Sequence, residues 1–342
     1  MARRILWSSL ALAPVAIVAR FAFHADATTL FVLSALALVP LAWLIGEATE
    51  HAAAHTGSGV GGLLNASFGN APELIIALFA VADGLPAVVR GSLTGSVVSN
   101  ILLVLGAAMI AGGEGDVDSR SLRLQLITVL GAVAVLLIPS VPGWHDSPER
   151  HSLFLVSLPI AAVLLCAYVV ITRRNLRIHR AEDTREADPA AWTMRRSLLS
   201  LALATATTAV ISEILVHSLE AFGHAVGLGE FFIAAVIVAI VGNAAEHGGA
   251  IVIAHRGNTR LATEIAVTSS MQVALLVVPA VALLSWIVGR GLPLSFRVVE
   301  VATMAWAAIF SLFVIWDGKS KRWEGFLLVA AYGGVVAAYA LA

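Results

Sequence analysis

Charged residues are scarce in this chain of 342 residues. Only 13% of the residues are Asp, Glu, Lys or Arg, and 59% are hydrophobic, whereas soluble domains have about 25% charged and about 45–50% apolar residues. This shortage of charge excludes a disordered chain, a nucleic-acid-binding protein and a conventional soluble enzyme. A single cysteine, Cys166, excludes a disulfide framework and a cysteine-based metal site. Its apolar sequence context predicts a packing role.

Long hydrophobic runs take the place of charge. A membrane-spanning helix needs about 20 mainly apolar residues, and eleven segments meet that requirement. They lie near 5–22, 28–54, 60–82, 86–111, 122–139, 151–172, 197–222, 230–254, 261–288, 295–316 and 323–341. The sequence therefore predicts an all-α, multi-pass integral membrane protein with eleven transmembrane helices in a lipid bilayer.

The distribution of basic residues supports this count. If the N-terminus is cytoplasmic and the helices alternate in direction, sixteen of the 21 Lys and Arg residues fall on the cytoplasmic side. The five that remain outside are Arg20, Arg90, Arg150, Arg290 and Arg297. This asymmetry is the positive-inside pattern of membrane proteins. It predicts a cytoplasmic N-terminus and a cytoplasmic linker over residues 173–196, the longest polar stretch of the chain.

Two segments of the chain are related in sequence. Residues 69–106 and 242–279 align without a gap, and both begin with Gly-Asn-Ala-x-Glu. We interpret this as a duplication of five helices, 28–172 and 197–342, preceded by a first transmembrane helix in 1–27. Because five is odd, the two copies must insert in opposite directions. Inverted repeats of this kind build secondary transporters, whose binding site lies near the bilayer midplane between the copies.

Glu73 and Glu246 hold equivalent positions in the two copies, inside otherwise apolar helices. A carboxylate at that depth costs at least a few kcal/mol, so an intramembrane acid is by default a functional residue. The helices that carry them offer no internal Lys or Arg partner, and two facing carboxylates are stable only when protons or a cation neutralise them. Oxygen ligands favour hard cations such as Ca²⁺ and Mg²⁺. These residues predict a central cation site.

Neighbouring polar residues suit the same use. Asn70 and Asn243 stand three residues before the acids, on the same helix face. Gly69 and Gly242 either expose backbone carbonyls to an ion or simply allow close helix packing. The next helix of each copy carries further polar residues, for which hydrogen bonding within the membrane is the ordinary alternative. These residues are Ser96, Ser99, Asn100, Ser269, Ser270 and Gln272.

Titratable residues also lie in the helix that precedes each Glu helix. His and buried Glu side chains can both titrate near neutral pH, so these groups suit proton transfer, while those near helix ends are equally well explained as solvated. The residues concerned are Glu47, Glu50, His51 and His55 in the first copy, and Glu213, His217 and Glu220 in the second. Glu300, in the tenth predicted helix, has no evident role.

Several of these elements together resemble the calcium/proton antiporter branch of the cation/Ca²⁺ exchanger superfamily. They are Gly-Asn-Ala-x-Glu at 69–73 and 242–246, Thr49-Glu50 before it, and Gly95-Ser96-x-x-Ser99-Asn100 and Ser269-Ser270-x-Gln272 after it. The resemblance implies that Glu73 and Glu246 bind Ca²⁺ with nearby carbonyl, Asn, Ser and Gln groups. It also implies that Glu50 and Glu213 take part in proton exchange, and to these we add His51 and the two central acids, Glu73 and Glu246. Thr268 departs from the pattern, since Gly is frequent there.

The expected function is therefore secondary active transport and not enzymatic catalysis. The chain would exchange Ca²⁺ for H⁺ by alternating access and export Ca²⁺ from the cytoplasm, with the two ions as its ligands and no cofactor. A bacterial inner (plasma) membrane is the expected location. Nucleic acid is not an expected partner, and a homo-oligomer is left open.

Three alternatives remain at this point. One is exchange of another cation pair, Na⁺ with Ca²⁺, or Mn²⁺ or Mg²⁺ with H⁺. A second is a cation channel, since acids also line cation pores. The third is an intramembrane metalloprotease, suggested by His51 and His55 at zinc-ligand spacing. The protease is disfavoured because the order is not His-Glu-x-x-His and because the duplicated Glu motif would have no role.

Overall fold

The computed structural model describes residues 2–145, 151–179 and 192–341, and nearly all of them are helical. The first half contains α1 (Ala2–Ser9), α2 (Leu12–Phe21), α3 (Ala27–Phe68), α4 (Ala71–Ala82), α5 (Pro86–Val98), α6 (Leu105–Gly112), α7 (Ser119–Gly143) and α8 (His151–His179). The second half contains α9 (Met194–Val226), α10 (Glu230–Phe232), α11 (Ala239–Gly242), α12 (Ala244–His255), α13 (Thr259–Gln272), α14 (Val278–Ser285), α15 (Val298–Val314) and α16 (Arg322–Ala340).

Three π-helical segments continue the helices without a break. They are Ser99–Val104 between α5 and α6, Ile233–Val238 between α10 and α11, and Val273–Val277 between α13 and α14. Two short antiparallel strands, β1 (Gly115–Asp116) and β2 (Lys319–Ser320), pair with Gly115 opposite Ser320. They tie the connection after α6 to the connection before α16.

Eight helices within the described residues are long and apolar enough to cross a membrane, or nine if the bent pair Glu230–Gly242 and Ala244–His255 is one span. The apolar helices α4 and α15 are shorter. Large apolar side chains point outward, as at Phe313 and Leu203, which are 72% and 68% exposed. Lipid is the natural partner of such a surface. The chain is a multi-pass integral membrane protein, and the count of eleven spans stays a prediction.

The predicted boundary between the second and third transmembrane helices is wrong. The helix α3 runs unbroken to Phe68, through the predicted gap at 55–59, and the chain breaks at Gly69-Asn70. Pro72 stands at the start of α4, where its missing N–H costs nothing and its fixed φ favours a new helix. The repeated motif is therefore itself the break in the helix.

Helices extend into both ends of the predicted linker, residues 173–196. Helix α8 continues to His179, and α9 begins at Met194, where the Thr193 hydroxyl accepts a hydrogen bond from the Arg196 N–H. Only 180–191 of the predicted 173–196 lies outside the described residues. The single cysteine, Cys166, is exposed on α8, so the expectation that it packs inside the protein is wrong.

Helix α5 lies against the second half of the chain at very short range. A Cβ atom built on Gly91 or Gly95 would clash with the backbone carbonyl of Phe231 or Ala235. Small residues four apart permit such backbone approach between membrane helices. The Ser270 hydroxyl donates a hydrogen bond of 2.7 Å to the Val97 carbonyl in the same region. These contacts join the two halves of the chain at the centre of the molecule.

Long-range hydrogen bonds define the two ends of the helix bundle. At one end, which we call the hairpin end, β1 pairs with β2 and Arg260 bonds Asp118 at 2.5 Å. At the opposite end, the Trp144 indole N–H bonds the Phe296 carbonyl at 2.8 Å. The basic residues in or beside the connections at the hairpin end are all ones predicted to be cytoplasmic: Arg120, Arg123, Arg256, Arg260, Lys319, Lys321 and Arg322.

Glu300 has a structural partner that sequence reasoning missed. Its carboxylate is fully buried and accepts hydrogen bonds from the Arg297 backbone N–H at 2.8 Å and from Arg297 Nε at 2.7 Å. The buried Arg90 of α5 places its Nε 3.6 Å from the same carboxylate. The two arginines balance the charge of Glu300, and its contact with Arg90 joins α15 to the first half of the chain.

Replacing Gly95 with alanine tests the close approach of α5. We expect Gly95→Ala to lower the free energy of unfolding by about 1–3 kcal/mol, the usual cost of overpacking a core. The measurement is the thermal unfolding midpoint of the purified protein in detergent. Gly131→Ala is the matched control, because a Cβ atom at Gly131 in α7 would meet no atom within 4 Å. Equal midpoints for the two variants would contradict the close approach.

Candidate functional site

The two Gly-Asn breaks have the same local geometry. Asn70 precedes α4 with φ −95° and ψ 13°, and Asn243 precedes α12 with φ −92° and ψ 8°. Helices α11 and α12 meet there at a bend of 58°. Glu73 and Glu246 therefore lie in the first turns of α4 and α12, whereas the sequence analysis placed them inside longer helices. Free backbone N–H groups and the helix dipole favour negative charge at this position.

The break of one half lies beside the acid of the other. A Cβ atom built on Gly242 would lie 3.6 Å from Glu73 Cγ, so the glycine leaves room for that side chain. Glu73 is 7% exposed and Glu246 is half-buried, and the charge of one acts on the other. Neither Glu73 Oε2 nor Glu246 Oε2, both buried, has a hydrogen-bond partner among the described residues.

A chain of amide and hydroxyl groups surrounds the second break. Asn243 Nδ2 donates to Ser96 Oγ at 2.9 Å, and Asn100 Nδ2 donates to Asn243 Oδ1 at 3.4 Å. Asn100 Oδ1 lies 3.0 Å from Nε2 of His247, a buried residue that the sequence analysis did not select. The Asn243 side chain thus holds α5 and α12 at a fixed separation.

The first break is linked across the molecule in a similar way. Asn70 Nδ2 donates to Gln272 Oε1 at 3.0 Å, which brings together two residues 202 positions apart in the chain. The π-helical segments begin at Ser99 and directly after Gln272, and such segments are frequent at functional sites. Ser99 bonds the Ser96 carbonyl at 3.3 Å, and Ser269 is buried on α13. Gly69 is half-buried at the break itself.

Three further residues selected for proton transfer are Glu50, Glu213 and His51. Glu50 and Glu213 are exposed on α3 and α9. His51 stacks on Trp192 at 4.7 Å between ring centroids and lies 3.7 Å from the Glu47 carboxylate. The structure therefore places His51 against Trp192, which directly precedes α9. The roles of all three residues stay predictions, as do the ligand roles at the centre.

The sequence analysis did not select Glu264 as a candidate site residue. Glu264 lies in α13 and accepts hydrogen bonds from Gln125 Nε2 at 2.7 Å and from Ser121 Oγ at 3.2 Å, both on α7. A signal was present, because Glu264, Thr268 and Gln272 are spaced four residues apart and so share one face of a helix. In the part of the chain that the structure describes, no group of three or more His, Cys, Asp or Glu residues is placed to hold a metal ion.

Broken helices that meet at paired acids in the centre of a multi-pass membrane protein are typical of secondary transporters. Comparison with known proteins gives the particular family. The profile of the family described as "Sodium/calcium exchanger protein" matches residues 27–176 and 196–340. The chain belongs to this family, and the resemblance inferred from the repeated Gly-Asn-Ala-x-Glu motif is confirmed.

Individual relatives are similar over nearly the whole chain. The Ca²⁺/H⁺ antiporter of Aphanothece halophytica is 34% identical over 335 residues, which cover 90% of this chain and 89% of that protein. The Ca²⁺/H⁺ antiporter ChaA of Bacillus subtilis is 35% identical over 324 residues and covers 90% and 91%. The solved structure of native YfkE has a TM-score of 0.85 at 32% identity and covers 99% of this chain and 100% of that chain.

A double-mutant cycle tests the amide network. Ser96→Ala and Asn243→Ala should each lower thermal stability, and the Ser96 substitution should cost less when Asn243 is already alanine. We expect a coupling of about 0.5–1.5 kcal/mol, as for one hydrogen bond inside a protein. The measurement is the thermal midpoint of the two single variants, the double variant and the wild type. Strictly additive shifts would show that the two side chains do not interact.

Proposed function

We propose that this chain is a secondary active transporter that exchanges Ca²⁺ for H⁺ across the membrane by alternating access. The observation that carries the proposal is the pair Glu73 and Glu246, set in the first turns of two interrupted helices, each with a buried oxygen that accepts no hydrogen bond from the described residues. The names of the relatives agree with this function, since both antiporters exchange Ca²⁺ and H⁺.

The chemistry of the site explains how the two fluxes are coupled. Two carboxylates in a low-dielectric region repel each other and are costly to bury. One Ca²⁺ ion cancels both charges, and protons cancel them when Ca²⁺ leaves. Only a neutral site can be closed off from water at low cost, so the empty, doubly charged site does not change its orientation. The protein therefore crosses between its two states with either cargo but not without one.

We assign the Ca²⁺ ligands to the two acids and to neutral oxygen groups around them. Amide and hydroxyl oxygens complete the coordination of a hard cation without adding charge, and carbonyls near the Gly69 and Gly242 breaks extend the set. The neutral side chains proposed are Asn70, Asn243, Ser99, Asn100, Ser269 and Gln272. Glu50, Glu213 and His51, with the two central acids, are proposed to carry protons between the site and water.

We also propose the eleven-helix plan with one leading helix and two inverted five-helix copies, 28–172 and 197–342. Several local matches support it. Helices α4 and α12 both have 12 residues and follow Asn residues of equal backbone conformation. The π-helical segments Ser99–Val104 and Val273–Val277 stand at corresponding positions of the two aligned segments.

The proposed orientation places the hairpin end in the cytoplasm, together with the N-terminus, in the plasma membrane of a bacterium. The basic residues at that end support it through the positive-inside pattern. An inward proton gradient across that membrane then drives Ca²⁺ out of the cell.

Transport in proteoliposomes tests the proposed exchange. With purified wild-type protein, an imposed pH gradient should drive Ca²⁺ against its own gradient, and an equal Na⁺ gradient should not. Ca²⁺ flux should stop when the pH gradient is collapsed, which separates exchange from channel conduction. Uptake driven by Na⁺ alone, or flux that persists without any counter-gradient, would refute calcium/proton exchange.

Replacing either central acid tests the site. Glu73→Gln and Glu246→Gln keep the size of the side chain but remove its charge, so Ca²⁺ no longer has two anions to cancel. We expect each variant to lower the exchange rate at least about 100-fold, equivalent to about 2.7 kcal/mol. Glu114→Gln, at an exposed acid in the connection after α6, is the control and should keep full activity. Full exchange by either central variant would mean that the cation binds elsewhere.

A further inference from the structure

A polar stripe runs along α13 from the hairpin end to the centre of the molecule. Glu264, Thr268 and Gln272 follow one another at intervals of four residues, and all three are half-buried. The residues between them, such as Ala266, Val267 and Ser269, are buried. The partly open face of α13 is therefore polar along this line. At 1.5 Å per residue, Glu264 and Gln272 are about 12 Å apart along the helix axis.

Hydrogen bonds tie this stripe to α7 and to the central site. Gln125 Nε2 donates to Glu264 Oε2 at 2.7 Å and to Ser121 Oγ at 3.1 Å, while the Thr268 hydroxyl donates to Gln125 Oε1 at 2.9 Å. At its inner end, Gln272 accepts from Asn70. The stripe therefore ends at a contact with Asn70, the residue that directly precedes α4, the helix that carries Glu73.

Among the described residues, no basic side chain forms an ion pair with Glu264. The charged groups in electrostatic reach of it, within the described residues, are Asp118 and Arg260. Hydrogen bonds from the Ser121 backbone N–H and from Arg260 hold the pKa of Asp118 below its usual value. Asp118 thus stays ionised and forms its own ion pair with Arg260, at 2.5 Å. Glu264 is left with neutral partners, unlike Glu300, which has two arginines.

We infer that Glu264, with Ser121, Gln125 and Thr268, forms an outer binding station for a divalent cation on the route from the hairpin end to the Glu73–Glu246 pair. All four side chains offer oxygen atoms, which is the ligand chemistry of hard cations such as Ca²⁺. The Gln125 amide turns over so that its oxygen faces the ion, an exchange of atoms that leaves its shape unchanged. With one carboxylate, the station binds weakly and releases its ion readily.

This inference rests on the proposed function for its role, because the station serves to collect the ion that the central site transports. A carboxylate at the entrance raises the local concentration of cations. Its location at the hairpin end, which we propose to be cytoplasmic, would favour capture of Ca²⁺ from the side from which it is exported.

Equilibrium binding of ⁴⁵Ca²⁺ to purified full-length protein tests the station without requiring transport. The variant Glu73→Gln/Glu246→Gln lacks the central acids, and we expect it to retain one weak site, with a dissociation constant of about 0.1–1 mM as in low-affinity calcium sites. Adding Glu264→Gln should weaken that site at least about tenfold, or 1.4 kcal/mol. Adding Glu114→Gln instead should change nothing.

Two results would overturn the station. One is no Ca²⁺ binding to the Glu73→Gln/Glu246→Gln variant up to about 10 mM, well above the range of known protein sites. The other is weak binding that does not depend on Glu264. If the triple variant fails to fold, Thr268→Val replaces Glu264→Gln in the same background, since it removes one hydroxyl ligand at nearly constant volume. Unchanged binding in that variant also counts against the station.

Transport kinetics supply a second measurement. In otherwise wild-type protein, Glu264→Gln should raise the KM for Ca²⁺ about three- to tenfold with little change in kcat, the pattern of lost capture rather than lost chemistry. Glu264→Asp should restore most of the affinity. A lower kcat with unchanged KM would mean that Glu264 only braces α7 against α13. If the wild type itself does not exchange Ca²⁺ for H⁺, the proposed function fails while the binding result for Glu264 still stands or falls separately.

Discussion

Holding two carboxylates together away from water is costly. Glu73 and Glu246 lie within electrostatic reach of each other, and each has a buried oxygen without a hydrogen-bond partner among the described residues. In a low-dielectric region such a pair remains doubly charged only when a cation is bound, and otherwise it takes up protons. The helix breaks at Asn70 and Asn243 ease the cost, since each acid lies in a first helical turn where backbone N–H groups are free. The helix ends partly stabilise the two negative charges, and a bound cation or protons are needed to neutralise them.

The interface between the halves is built around that need. Gly91 and Gly95 let α5 approach the backbone of the second half, and this places Ser96 and Asn100 within hydrogen-bond distance of Asn243. Gln272 reaches Asn70 from the other side. The neutral residues of each half thus position the break of the other half. A movement of either half changes both sets of contacts together, which is what a site with alternating access requires.

Much of this was predictable from sequence because it depends on rare residues. An acid in an apolar segment is conspicuous, and its repetition behind Gly-Asn-Ala marks a paired site. The position of the helix break was not predictable in the same way. The glycines near residues 57–62 suggest a gap, yet α3 passes through them, because a membrane helix tolerates glycine where its hydrogen bonds stay intact. Partners across the fold were equally hidden. Nothing in the sequence pairs Arg90 with Glu300, or His51 with Trp192, since these contacts depend on how the helices pack.

A comparison of the intramembrane acids shows how one residue type serves different purposes here. Glu300 is fully buried and is held by Arg297 and Arg90, so its charge is balanced within the protein and it stabilises the packing of α15 on α5. Among the described residues, no arginine or lysine forms an ion pair with Glu73 or Glu246, and under the proposed function a transported ion balances their charge. Glu264 is intermediate, because neutral donors hold its carboxylate in place without cancelling its charge. The number of fixed positive charges beside an acid therefore distinguishes a structural role from a cation-binding one. By that criterion the central pair, with two charges, is expected to bind a cation more strongly than Glu264, with a single charge.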